Sequence, residues 1–144
     1  MSACRLTESI YSNVGGFYYV KGPCMAVPDI GTDKESATSL FNKVYPDKTG
    51  IAVLSDTIRE LNVRILYGIE ETVLADIPNS CQPAHLQCHI TDIIRDIHKS
   101  GMDTIAAVRD NDAADLIAVK DGKLLLLNQT SSDTYGLMYT IIRI

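Results

Sequence analysis

Tryptophan is absent from this sequence, and phenylalanine occurs only twice in its 144 residues. Aliphatic side chains must therefore fill most of any core, and a hydrophobic share of 46% supplies enough of them. No apolar run approaches the ~18 residues that a membrane-crossing helix needs. The opening Met1-Ser2-Ala3-Cys4-Arg5 lacks a basic segment followed by an apolar one, so a secretory signal is not expected. Lysine and arginine number 13, are scattered, and are outweighed by 18 acidic residues, giving a net charge of −5. Affinity for nucleic acid rests on basic side chains neutralising phosphates, so this balance disfavours a nucleic-acid partner. It equally disfavours docking on an anionic membrane. Also missing are a P-loop, a dinucleotide fingerprint and a Gly-x-Ser-x-Gly elbow.

What is present fits one domain over 1–144 with no internal repeat. Charged residues make up 22%, close to the usual quarter for a folded chain. Four cysteines, Cys4, Cys24, Cys81 and Cys88, occur without an export signal, so they read as reduced thiols and the expected location is cytoplasmic.

Periodicity then places the elements. Phe17-Tyr18-Tyr19-Val20 and Cys24-Met25-Ala26-Val27 read as short strands, the second stopped by Pro28. Asp33 can cap a helix whose Ala37, Leu40, Phe41 and Val44 recur at helical spacing before Pro46. Ile51-Ala52-Val53-Leu54 is a strand, followed by a polar linker containing Asp56. Val63 to Ile69 is another strand, rich in β-formers, and Glu70 to Ala75 a short helix. Pro83 suits a first helical position, and Leu86, Ile90, Ile93, Ile94 and Ile97 line one face until Gly101, predicting the longest helix here. Three strands follow, over 104–108, 115–119 and 123–127, the last two joined by Asp121-Gly122, the strongest hairpin signal in the chain. Thr130-Ser131-Ser132-Asp133 resembles a capping box ahead of Leu137, Met138, Ile141 and Ile142. That helix reaches Ile144 with no stop signal, which suits either a truncated longer protein or a C-terminal element packing on the sheet. The fold expected is α/β leaning to α+β, a mixed, largely antiparallel sheet flanked by helices.

The segment Asp115-Leu116-Ile117-Ala118-Val119-Lys120-Asp121-Gly122-Lys123-Leu124-Leu125-Leu126-Leu127-Asn128-Gln129, with the Tyr-bearing stretch Asp133 to Tyr139 after it, is similar to a signature of uncharacterised bacterial proteins with an actin-like ATPase (ribonuclease H-like) fold. The resemblance extends from about Gly22 to Ile144. Members of that family are longer, so it implies one part of a bilobed molecule. It also implies a glycine-rich turn between the first two strands to hold nucleotide phosphates, with an aspartate bearing on the metal. The corresponding turn here, Arg109-Asp110-Asn111-Asp112-Ala113-Ala114-Asp115, contains no glycine. A Cβ at each position keeps backbone N–H groups from closing on phosphate, and three carboxylates repel it unless a metal intervenes.

Asp110, Asp112 and Asp115 are candidate ligands for a nucleotide-bound or free divalent cation, with a solvated acidic turn as the alternative. Asp29, Asp56 and Asp103 lie near element ends, where ribonuclease-type metal chemistry would need them to converge. Cys81, His85, Cys88 and His89 are the one cluster of zinc-ligand types. On the expected helix His85 and His89 form an i, i+4 pair that Cys81 can join by folding back, while Cys88 points elsewhere. The alternative is a thiol facing the core with histidines outside. A Cys24–His85 or Cys24–His89 dyad has no support in spacing. Phe17, Tyr18, Tyr19, Tyr135 and Tyr139 supply aromatic surface suited to a protein partner or to packing. With site motifs lacking and apolar strands plentiful, the expected function is a non-catalytic protein-interaction or self-association module, homo-oligomeric or bound to another protein, with no cofactor. The alternatives are a divergent actin-like ATPase using ATP and magnesium, and a zinc-stabilised protein.

Overall fold

A computed structural model of the chain describes residues 10–12, 18–29, 33–47, 49–76, 86–109 and 113–131. They fall into two compact units, residues 1–91 and 92–144. No helix among the described residues is long and apolar enough to cross a membrane.

The first unit contains two small sheets. β1 (Ile10–Ser12) pairs antiparallel with β2 (Tyr18–Val20), and β2 pairs parallel with β6 (Leu86–Cys88). The second sheet is antiparallel, ordered β3 (Cys24–Pro28), β5 (Val63–Glu70), β4 (Ile51–Ile58). As the central strand, β5 is buried continuously from Ile65 to Ile69, as expected where a strand is covered on both faces. The helix α1 (Lys34–Val44) starts at Asp33, whose carboxylate accepts from the Ser36 amide at 2.7 Å, a bond that holds Asp33 below the usual carboxylate range. It buries Ala37 and Phe41 against Val27 and Leu66, with Met25, Tyr45, Ile51 and Val53 packed alongside. Leu40 and Val44, which share the helical spacing, stay exposed. Gly68 admits this packing: a Cβ there would stand 2.6 Å from Ile51 Cγ2 and 2.8 Å from Phe41 Cζ. A short three-ten turn, Arg59–Leu61, links β4 to β5, and α2 (Glu71–Asp76) follows β5.

Two sequence expectations are corrected. The linker around Asp56 is strand: β4 runs on to Ile58, with Asp56 opposite Ile65 and Thr57 opposite Arg64. Pairing with the full length of β5 outweighs the polarity of Ser55, Asp56 and Thr57. The helix expected from Pro83 begins only at Thr91, because Leu86–Cys88 extends beside β2. Leu86, Cys88 and Ile90 are all buried, a period-two pattern hidden inside the helical one.

The second unit holds most of α3 (Thr91–Ser100), closed by Gly101 at φ 70°, and an antiparallel meander of β7 (Thr104–Arg109), β8 (Ala113–Lys120) and β9 (Lys123–Ser131). Asp121 and Gly122 take φ 52° and 73°, the left-handed pair that a two-residue hairpin demands, and Lys120 faces Lys123 across it. Asp103 accepts from the Asp121 amide at 2.9 Å. Residues Ala114 to Val119 of central β8 are buried, and the register shifts at Ala118/Val119. The architecture is mixed α/β with mostly antiparallel pairing, as the sequence implied.

Candidate functional site

The chemistry-bearing side chains of the first unit gather where β6 meets β4 and β5. Asp56, in mid-β4, is half-buried and accepts from the Cys88 amide at 2.8 Å and the Thr91 hydroxyl at 2.7 Å. Tyr67, opposite both Cys24 and Leu54 across β5, is 2% exposed and hydrogen-bonds Asp56. Burial first, then the negative charges of Asp56 and Cys88, hold its phenol well above the ordinary range, so it stays protonated. Cys88 is fully buried and shares a hydrogen bond with the thiol of Cys24, itself 3% exposed. His89 places Nδ1 3.8 Å from Cys88 Sγ and 3.1 Å from the Val20 carbonyl oxygen. The hydrogen bond from Cys24, then those from His89 and its positive charge, pull the Cys88 thiol down to about 6 against the opposing effect of burial. The arrangement stabilises a thiolate inside the protein, with a phenol and a second thiol at hand.

Beside this cluster lies a cleft of ≈ 340 Å³ whose lining includes Lys34, Ser55, Arg64, Tyr67 and Leu86. Arg64 also pairs with Asp29 at 3.0 Å.

The residues singled out from the sequence are distributed as follows. Asp110 and Asp112 lie outside the described residues, as do Cys81, His85, Phe17, Tyr135 and Tyr139. Asp115 is 5% exposed on β8, opposite Val108 and Gln129. His89 is described, but the helical i, i+4 geometry expected for it is replaced by the extended Leu86–Cys88. Among the described residues no group of three or more His, Cys, Asp or Glu side chains is placed to hold a metal. Asp29 goes to Arg64, Asp56 to Cys88 and Thr91, and Asp103 to the hairpin amide. Cys88 is buried. The grouping of Cys24, Asp56, Tyr67 and Cys88 was missed. Its one signal was a carboxylate, Asp56, in a stretch flanked by β-formers.

No family model matches this sequence, and no curated protein matches it. Among solved structures, the chain is similar to a Bacteroides thetaiotaomicron protein with actin-like ATPase fold and unknown function, with a TM-score of 0.73 and 21% identity. The match covers 83% of this chain and 49% of the other, so this chain spans about half of that protein's length. At that identity the likeness establishes the fold: the α/β architecture described above corresponds to one half of an actin-like ATPase fold.

Proposed function

We propose that this chain is a non-catalytic protein-interaction module of actin-like fold, which associates with another protein or with a second copy of itself through the β7–β9 sheet. The supporting observation is the apolar surface of that sheet and its approach. Met102, Ile105 and Leu125 are 68%, 52% and 58% exposed. β7 is an outer strand of its sheet, and its Ile105, Ala107 and Arg109 alternate outward. An edge strand with an apolar fringe is a template for pairing or for docking a partner. Sedimentation velocity over a concentration series, with pull-downs on the same protein, tests this reading. Association should weaken at least tenfold in the Ile105→Lys, Leu125→Lys double variant while its thermal unfolding stays unchanged. A strict monomer that captures nothing overturns it.

The fold likeness favours one second reading, a divergent ATPase. Millimolar ATP with magnesium would then raise the melting temperature, since a ligand bound only by the native state stabilises it. The absence of glycine from the stretch Arg109 to Asp115, where β7 gives way to β8, weighs against that outcome.

A further inference from the structure

We propose that Cys24 and Cys88 form an internal redox pair, closing reversibly to a disulfide that ties β3 to β6. Neither cysteine is in a disulfide in this structure, and they come from different sheets of the first unit. Each is buried, and their side chains already share a hydrogen bond, which sets the two sulfurs beside each other. Here the surroundings favour one thiolate over the other. The His89 ring stands 3.8 Å from Cys88 Sγ, while the phenol of Tyr67 stays protonated beside it. Cys88 is thus the attacking sulfur and Cys24 the resolving one.

The oxidant is a peroxide. The Cys88 thiolate attacks one peroxide oxygen, the O–O bond breaks, and the sulfur leaves as sulfenic acid; the departing hydroxide takes up the proton that Cys88 had released. The Cys24 thiol then attacks the Cys88 sulfur, an S–S bond forms, and the sulfenic oxygen departs as water with the Cys24 proton. Two thiols and one hydrogen peroxide thereby give one disulfide and two waters. Access comes through β6, a three-residue outer strand of its sheet, whose local opening uncovers Sγ without unfolding the unit.

The full chain is exposed to hydrogen peroxide, quenched with N-ethylmaleimide in denaturant, digested and mapped by mass spectrometry. A Cys24–Cys88 linked peptide should form ahead of any bridge to Cys4 or Cys81 and disappear with dithiothreitol. The melting temperature of the oxidised protein should rise by roughly 10 °C, because the link constrains a long loop of the unfolded chain. In Cys24→Ser, which lacks the resolving thiol but keeps a hydrogen-bonding group beside Cys88, Cys88 should accumulate as a sulfenic acid that dimedone traps. Recovery of both cysteines as maleimide adducts, or bridges that prefer Cys4 or Cys81, overturns the pair. Absence of the dimedone adduct in Cys24→Ser overturns the assignment of Cys88 as the attacking sulfur.

Discussion

Residues 1–91 and residues 92–144 bury different things. The first unit encloses two thiols, a phenol and the Thr91 hydroxyl around a half-buried carboxylate, each bonded to another, and lays α1 over its antiparallel sheet. The second encloses the run Leu116, Ile117, Ala118 and Val119 in the middle of a meander, with Asp115 at its start. It also leaves large apolar side chains on its outer strands in water. Stability in the first unit is therefore conditional on hydrogen-bond partners arriving from distant strands. In the second it follows from strand pattern and turn chemistry, which are local.

Core deletion should give the largest effect. Phe41→Ala removes a fully buried ring from the contact of α1 with Val27 and Leu66, and should cost about 3–5 kcal/mol in urea denaturation. A loss under about 1 kcal/mol would mean that α1 is dispensable to the sheet.

Next comes the polar cluster. Asp56→Ala strands the Cys88 amide and the Thr91 hydroxyl, each an unsatisfied donor worth about 1–3 kcal/mol, whereas Asp56→Asn keeps an acceptor and should recover most of the loss. Equal losses in the two variants would show that packing, and not hydrogen bonding, sets the cost.

The same cluster should give the first unit a pH dependence. Cys88, faced by Cys24, His89, Tyr67 and Asp56, has a folded-state value of about 6 against an ordinary thiol value of 9.0. A depressed acid binds fewer protons when folded than when unfolded. Its contribution is thus complete above about pH 9 and is lost as pH falls through about 6. Urea midpoints should rise across that window, and Cys88→Ala should flatten the slope; a wild-type slope of zero would contradict it.

The smallest effect belongs to the second unit. Gly122→Ala, at φ 73° with open space around the new methyl, should cost about 1 kcal/mol of backbone strain and nothing in packing. A neutral outcome would show that the hairpin turn adapts, and would narrow the contrast between the units.

These differences also decide what could be read from the sequence. The turn Asp121-Gly122, the cap Asp33 and the buried pair Ala37 and Phe41 are local features, and each is found where its residue chemistry placed it. β6 escapes a sequence reading because three residues are too few to display a period of two. The spacing of Leu86, Ile90, Ile93, Ile94 and Ile97 runs helically straight through it. Asp56 looked like linker because a carboxylate belongs inside a strand only when donors reach it, and its donors lie 32 and 35 residues away. The contact of Cys24 with Cys88 depends on β6 lying parallel to β2, a pairing that no spacing encodes. His89 was singled out, but for a helix that is not there.

The parallel pairing of Tyr18–Val20 with Leu86–Cys88 has a consequence for how the chain assembles. Antiparallel neighbours zip up as soon as they meet, but a parallel strand must wait for everything between it and its mate. During synthesis β3, β4 and β5 therefore emerge and pair while Asp56 is still hydrated. β6 arrives afterwards with Thr91 just behind it, bringing the Cys88 amide and the Thr91 hydroxyl that take over from water, and so acts as the latch that closes the first unit.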